Sequence, residues 1–329
     1  MKLGILFYGF RHGHINTLYK KTESSPIAEI VACIEENQDA RLAAEGALGA
    51  KFSDKSYDEW LSSPLVDAVA IGGAYGDRGK AVIKALRAGK HIIADKPICT
   101  SLSELDEICA LAREGGLKIS CMLDLRYLPQ TLAAKKILEG GRLGEIRNIS
   151  FNGQHCLNYG KRPSWYFEGG MHGGTVNDLS IHGVDLVRML SGREIEAADC
   201  VRSWNSYAEK EKDFKDCALI MARLEGGAGI LADVSYSAPT QAFSLPSYWE
   251  FRFWCARGML SFNYAENKVT VWEEGVGEPQ IFEGIASDND YLSELEAEIR
   301  EGGTAITENV LASSRAALIL QAAADKEGI

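Results

Sequence analysis

The stretch Leu3-Gly4-Ile5-Leu6-Phe7-Tyr8-Gly9-Phe10-Arg11-His12-Gly13-His14 decides the fold. Its first six residues are a short, nearly continuous apolar run, as a strand covered on both faces requires. A glycine-bounded turn follows, then a segment able to be helical up to Ser24-Ser25-Pro26. The same alternation continues outward. Strands are predicted at 28–34, 68–71, 91–94 and 118–123, with helices at 39–48, 57–61, 79–88 and 103–114. Parallel neighbours need a crossover of a dozen or more residues, so this rhythm predicts an α/β, doubly wound parallel sheet over 1–122.

Beyond residue 122 the texture changes. Arg126-Tyr127-Leu128-Pro129 opens a predicted helix to Leu138. Alternating apolar and polar segments then follow at 146–152, 197–203, 216–224, 229–236, 249–254, 259–262 and 268–273. They predict a large, open, mostly antiparallel sheet with one covered face in a second α/β domain, 123–329. Helices are predicted at 175–190, 287–301 and 309–325, the last expected to pack back on the first domain. Trp249, Phe251 and Phe253 are expected on the sheet's open face, where they would support a homodimer or homotetramer. There is no internal repeat.

Charge and cysteine usage narrow the function classes. A net charge of −11 disfavours nucleic acid and anionic membranes as partners. No apolar run reaches the roughly 20 residues of a membrane span. The start, Met1-Lys2-Leu3, has the flavour of a leader, but its apolar run is short and meets Arg11-His12. Eight cysteines without a CxxC pair predict reduced core residues, no structural zinc and a cytoplasmic protein.

In a doubly wound sheet the ligand lies beyond the carboxyl ends of the strands. Gly9 and Gly13 let the backbone turn tightly and approach a pyrophosphate, which the next helix N-terminus favours. Glu35 ends the second strand, where a carboxylate accepts hydrogen bonds from both adenosine ribose hydroxyls and repels a 2′-phosphate. NAD is therefore expected over NADP. Arg11 and His14 stand where the usual fingerprint differs. Arg11 could reach the pyrophosphate or a 2′-phosphate, and His12 could touch the cofactor. The alternative is that Gly9 and Gly13 merely shape a strand-to-helix turn.

Two further segments carry proton chemistry. Ala94-Asp95-Lys96-Pro97 places a lysine just past a buried strand, and Gly173-Gly174-Thr175-Val176-Asn177-Asp178 runs on to His182. At 3.6 residues per turn Asp178, His182 and Asp185 share one stripe of an otherwise apolar helix. Such a stripe faces solvent or a cleft, and the glycine pair, which admits close approach at the helix start, favours the cleft. Arg162, Trp165, Tyr166 and His172 precede that helix, the right place to grip hydroxyls or a carboxylate; Trp165 and Tyr166 fit packing equally well. Arg126 suits capping carbonyls, and His91 and Asp185 suit structural roles. No metal is expected, because no further His or Cys joins Asp178 and His182 at ligand spacing.

The order of these motifs, with Gly-Lys-His-Ile-Ile-Ala-Asp-Lys-Pro, Arg126-Tyr127-x-Pro129, Gly144-Glu145-Ile146 and Gly-Gly-x-x-x-Asp-x-x-x-His, resembles the Gfo/Idh/MocA oxidoreductases, relatives of glucose-fructose oxidoreductase and inositol 2-dehydrogenase. The likeness covers nearly the whole chain. It implies a Rossmann domain followed by an open-sheet domain, with Lys96, Asp178 and His182 at the catalytic positions. It also implies third-strand cofactor contacts, here falling on Gly72, Ala74 and Tyr75, with Asp95 and Lys96 beside them. Asp95 replaces a common glutamate, Gly72–Arg78 replaces the usual Thr-Pro-Asn, and His172 adds an imidazole.

The expected reaction moves a hydride between the nicotinamide cofactor and a carbinol of a sugar, polyol or cyclitol. Either His182 or Lys96 is the base. Two alternatives remain. One is a lyase, epimerase or glycosidase that retains its cofactor and oxidises transiently; the other is a non-catalytic dinucleotide- or sugar-binding regulator.

Overall fold

The computed structural model describes residues 2–239 and 241–326; Met1 of the leader-like start lies outside them. Five parallel strands form the first sheet: β1 (Leu3–Tyr8), β2 (Ala28–Ile34), β3 (Ala68–Ile71), β4 (His91–Ala94) and β5 (Ile119–Cys121). Their order is β2-β1-β3-β4-β5, as the apolar runs and intervening helices require. Those helices are α1 (His14–Glu23), α2 (Gln38–Leu48), α3 (Tyr57–Leu61), α4 (Tyr75–Arg87) and α5 (Leu102–Gly115). α4 starts four residues before the predicted helix. The Gly76 N–H bonds the Met171 carbonyl there, a tertiary partner that local propensity cannot register.

The second sheet has eight strands: β6 (Ile146–Gln154), β7 (Ile195–Trp204), β8 (Cys217–Leu224), β9 (Gly229–Ser235), β10 (Glu250–Cys255), β11 (Gly258–Asn263), β12 (Lys268–Glu273) and β13 (Gln280–Glu283). Their order is β13-β12-β11-β10-β6-β9-β8-β7. All pairings are antiparallel except β6 with β9. The edge strand β13 is absent from the sequence reading, because two apolar residues in four make no period. Helices α6 (Pro129–Glu139) and α7 (Ile181–Ser191) pack on one face of this sheet.

That packing reverses one expectation. Trp249, Phe251 and Phe253 are buried at 2%, 1% and 0% exposure, so they lie under the helices. The bare face instead carries Leu219, Met221, Leu231, Trp254, Trp272 and Ile281. The alternation was legible, but which of its two faces receives the helices is a tertiary matter.

By compactness the chain divides into two units, one containing the first sheet and one containing the second. The first runs to Met122 but also includes Gly170–Gly173 and Asp290–Arg315. These segments depart from the expected boundary for a visible reason. α8 (Tyr291–Glu301) is tied to the first sheet, where the Ser120 hydroxyl donates to the Tyr291 carbonyl and Lys21 pairs with Asp290. The helix α9 (Ala305–Lys326) begins in this unit, with the Ile119 N–H on Thr307 and Arg315 on Asp106.

Candidate active site

The first unit supplies the turn after β1. Gly9 has φ +84°, and a Cβ there would meet Gly73 N at 2.5 Å, so glycine is required. The Arg11 and His12 N–H groups both bond the Gly72 carbonyl, which straps the turn to the end of β3. Gly13 differs from the expectation: its φ of −67° suits any residue, and open space lies where a Cβ would sit. No side chain caps α1, so its first N–H groups and the open approach above Gly13 suit a phosphate. Glu35 closes β2; its carboxylate accepts from the Phe10 N–H at 2.5 Å and the Asn37 N–H at 2.7 Å. Glu36 beside it accepts from the Tyr8 hydroxyl. Burial first, then these two acids, pushes the Tyr8 pKa upward.

The Asp95 side chain is held by the protein itself. It is fully buried, and its oxygens are engaged by His12 Nδ1 at 2.5 Å, His14 Nδ1 at 3.1 Å and Arg78 Nη2 at 2.7 Å. Burial alone would raise its pKa; the Arg78 guanidinium and both imidazoles overcome this and hold it well below the carboxylate range. Burial pushes His12 the other way, to about 4, against the pull of Asp95, so its ring is neutral at neutral pH. The sequence reading missed Arg78, although it quoted the residue within the Gly72–Arg78 segment. Its Nη1 donates to the Asp95, Lys96 and Pro97 carbonyls at 3.0, 2.6 and 3.1 Å, and its Nε to Gly73. This guanidinium therefore holds the whole Asp-Lys-Pro segment, in which the Lys96–Pro97 bond is cis.

Tyr75 is the hub of the aromatic groups here, with Ala74 buried just before it. Its ring lies 4.4 Å from the Arg78 guanidinium, 5.9 Å from the Lys96 ammonium, 5.3 Å from the His12 ring and 5.7 Å from the His172 ring. Lys96 is 3% exposed. The first unit thus brings together Gly9, Arg11, His12, Gly72, Ala74, Tyr75, Asp95, Lys96 and His172.

The second unit supplies Asp178 and His182. The predicted continuous helix is instead opened by one wide π turn, Val176–Ser180, before α7 begins. Such turns recur at functional sites because they shift the register of side chains. Asp178 accepts a hydrogen bond from the Tyr236 hydroxyl, and the His182 ring lies 5.6 Å from Trp249. His155 lies against Trp249 and Tyr248. Tyr236 was missed: it sits 58 residues away in sequence, with no motif around it.

The glycine pair before this turn answers to the protein itself. A Cβ on Gly173 would meet Thr100 at 2.3 Å, and one on Gly174, at φ +92°, would meet Gln321 at 2.1 Å. Gln321 Oε1 accepts from the N–H groups of Val176 and Asn177 and so caps the helix start. Asp185 is not an open member of the stripe. It forms a buried fork with Arg126, Nε and Nη2 each at 2.5 Å, so Arg126 binds a carboxylate. Arg162 is likewise engaged within the protein. Its Nε and Nη2 donate to the Leu157 and Cys156 carbonyls, and its guanidinium stacks 4.6 Å from the Tyr166 ring. Trp165 and Tyr166 are buried, as packing residues are.

The only group that could hold a metal among the described residues is His12, His14 and Asp95. Arg78 already occupies Asp95 there, and its charge opposes a cation. No helix among the described residues is long and apolar enough to cross a membrane.

Comparison with known proteins fits this geometry. Residues 4–122 match the oxidoreductase family with an NAD-binding Rossmann fold, which makes the first unit a dinucleotide-binding domain. Residues 131–261 match the GFO/IDH/MocA C-terminal domain. The chain belongs to the Gfo/Idh/MocA family of oxidoreductases. Levoglucosan dehydrogenase of Pseudarthrobacter phenanthrenivorans is 27% identical over 183 residues, 54% of this chain and 46% of that protein. The chain thus spans about half the length of the curated relatives it matches. Among solved structures, the aldose-aldose oxidoreductase of Caulobacter crescentus complexed with glycerol superimposes with a TM-score of 0.81 at 18% identity, covering 100% of this chain and 99% of that one. Levoglucosan dehydrogenase with NADH and levoglucosan gives 0.78 at 19% identity, covering 100% and 98%. At such identities these two structures establish the fold.

Proposed function

We propose that this protein interconverts a carbinol and a carbonyl on a sugar, polyol or cyclitol, with NAD preferred over NADP. The observation that carries the reading is the uncapped start of α1 behind the Gly9 turn, with Glu35 at the end of β2. The N–H groups receive a pyrophosphate, and the Glu35 carboxylate suits ribose hydroxyls while opposing a 2′-phosphate. When bound, the nicotinamide supplies the hydride acceptor or donor.

The chain's own residues manage the proton. The His182 imidazole takes the substrate hydroxyl proton, with Asp178 orienting it and stabilising its charged form. The Lys96 ammonium stabilises negative charge on the substrate oxygen. Its position next to the Asp95–Arg78 network supports that role, because the segment carrying it is held by backbone carbonyl bonds. His172, packed beside the Tyr75 ring, would bind substrate hydroxyls; that ring contact supports a fixed imidazole there.

A thermal shift series with NAD(H) and NADP(H), after cofactor stripping, tests the cofactor. Ligand at about 100 times its dissociation constant should stabilise by roughly 2.7 kcal/mol. An equal or larger shift with NADP(H) overturns the role of Glu35. A screen of polyols and sugars with the preferred cofactor then tests the reaction; product without any net cofactor turnover would favour the retained-cofactor alternative.

The free cysteines support a reduced, cytoplasmic setting, and the acidic charge supports a small-molecule partner over nucleic acid. Exposed Leu219, Met221, Leu231, Trp254 and Trp272 on the bare sheet face support a homodimer or homotetramer. Light scattering at micromolar concentration tests this, and a monomer there overturns it.

A further inference from the structure

We infer that the first unit carries a second binding site, for a compact organic anion, at the sheet edge opposite the cofactor turn. A cavity of about 400 Å³ lies where α5 ends, β5 begins and α9 starts. These are the amino-terminal ends of the parallel strands, whereas Gly9 follows the carboxyl end of β1. The cavity belongs to the first unit alone and shares no lining residue with the turn.

Its lining has two parts. Leu117 and Leu311, each 9% exposed, give an apolar floor. Arg113, Lys118 and Arg315 line it with positive charge, and Glu308 is the one carboxylate among its lining residues. Arg315 is already answered by Asp106 at 2.7 Å, and Glu308 accepts from the Thr304 hydroxyl. One cation therefore remains in excess.

Lys118 is the deciding group. It is 7% exposed, yet its ammonium has no hydrogen bond or ion pair among the described residues. An anion entering the cavity would give this ammonium the acceptor that the described residues do not. Its charge is felt nearby: burial first and Lys118 second hold the His91 pKa below its ordinary value. Arg113 is exposed at the rim and likewise has no partner among the described residues. A carboxylate or phosphate could meet Lys118 and Arg113 while an apolar body rests on Leu117 and Leu311.

Calorimetry on the full chain tests the site with benzoate, phenyl phosphate, neutral benzamide and inorganic phosphate. Benzoate or phenyl phosphate should bind once per chain, with benzamide at least tenfold weaker. Lys118→Met should weaken the anion at least tenfold and Arg113→Ala about threefold or more, which separates this site from the cofactor turn. Arg113 is exposed, so its variant keeps the fold and decides the matter if Lys118→Met does not fold. Failure of both organic anions to bind, unchanged binding in the variants, or inorganic phosphate binding as tightly as phenyl phosphate would each overturn the inference.

Discussion

Asp95 and Asp178 are both carboxylates at motif positions, both buried, and they live in opposite chemical settings. Asp95 is gripped by a guanidinium and two imidazoles, a closed network that fixes backbone. Asp178 sits in a widened helical turn and accepts from a phenol, Tyr236, a neutral donor. The contrast teaches that burial alone says little about role. A carboxylate forked to a buried guanidinium is committed to holding backbone, whereas a carboxylate in a widened helical turn is placed where register can shift.

The largest test of this contrast is Asp95→Asn. It leaves Arg78 buried without its counter-charge and should cost about 3–5 kcal/mol in urea unfolding. A loss below about 1 kcal/mol would dissolve the distinction between the two carboxylates.

Acid should probe the same network. The folded-state pKa of His12, near 4, lies below its unfolded value of 6.5, so the unfolded chain takes up its proton first as pH falls. Stability from this group is full above the unfolded value and is lost between about 6.5 and 4, by up to roughly 3 kcal/mol. Asp95, whose folded pKa is depressed, begins to contribute in the same sense only below its ordinary value. Urea midpoints across this range should show the slope, and His12→Asn should flatten it; a flat wild-type profile would contradict the neutral imidazole.

On the other side, Lys96→Met and His182→Ala should each lower turnover by at least on the order of 10². Near-normal turnover in both would remove them from the chemistry. The smallest effect expected is that of Tyr236→Phe. Losing one hydrogen bond of about 0.5–1.5 kcal/mol should lower turnover roughly threefold to tenfold with little change in the urea midpoint. Turnover equal to wild type would show that Asp178 does not depend on the phenol.

The two halves also differ in how much was legible. In the first sheet each strand is a short apolar run bounded by turn residues, and strand positions follow from that pattern. The second sheet gave its alternation but not its polarity, so Phe251 and Phe253 were placed on the wrong side. Lys96, Asp178 and His182 stood in readable motifs. Arg78, Tyr236 and Gln321 did not, because a residue that acts by reaching across long sequence separations leaves no local period. The carbonyls of Leu157 and Cys156 that engage Arg162 were equally invisible in its sequence neighbourhood.

By itself the sequence determined the strand–helix alternation, the acidic charge, the glycine turn after β1 and the motifs in which Lys96, Asp178 and His182 stand. Those rest on local periodicity, backbone sterics and side-chain chemistry, which act over a few residues. Only the tertiary structure decided which sheet face is bare, that Asp95 is a closed hub, that Gly174 makes room for Gln321, and that Lys118 is buried without a partner. Each of these depends on what lies across space, and hydrogen-bond satisfaction and desolvation are set there.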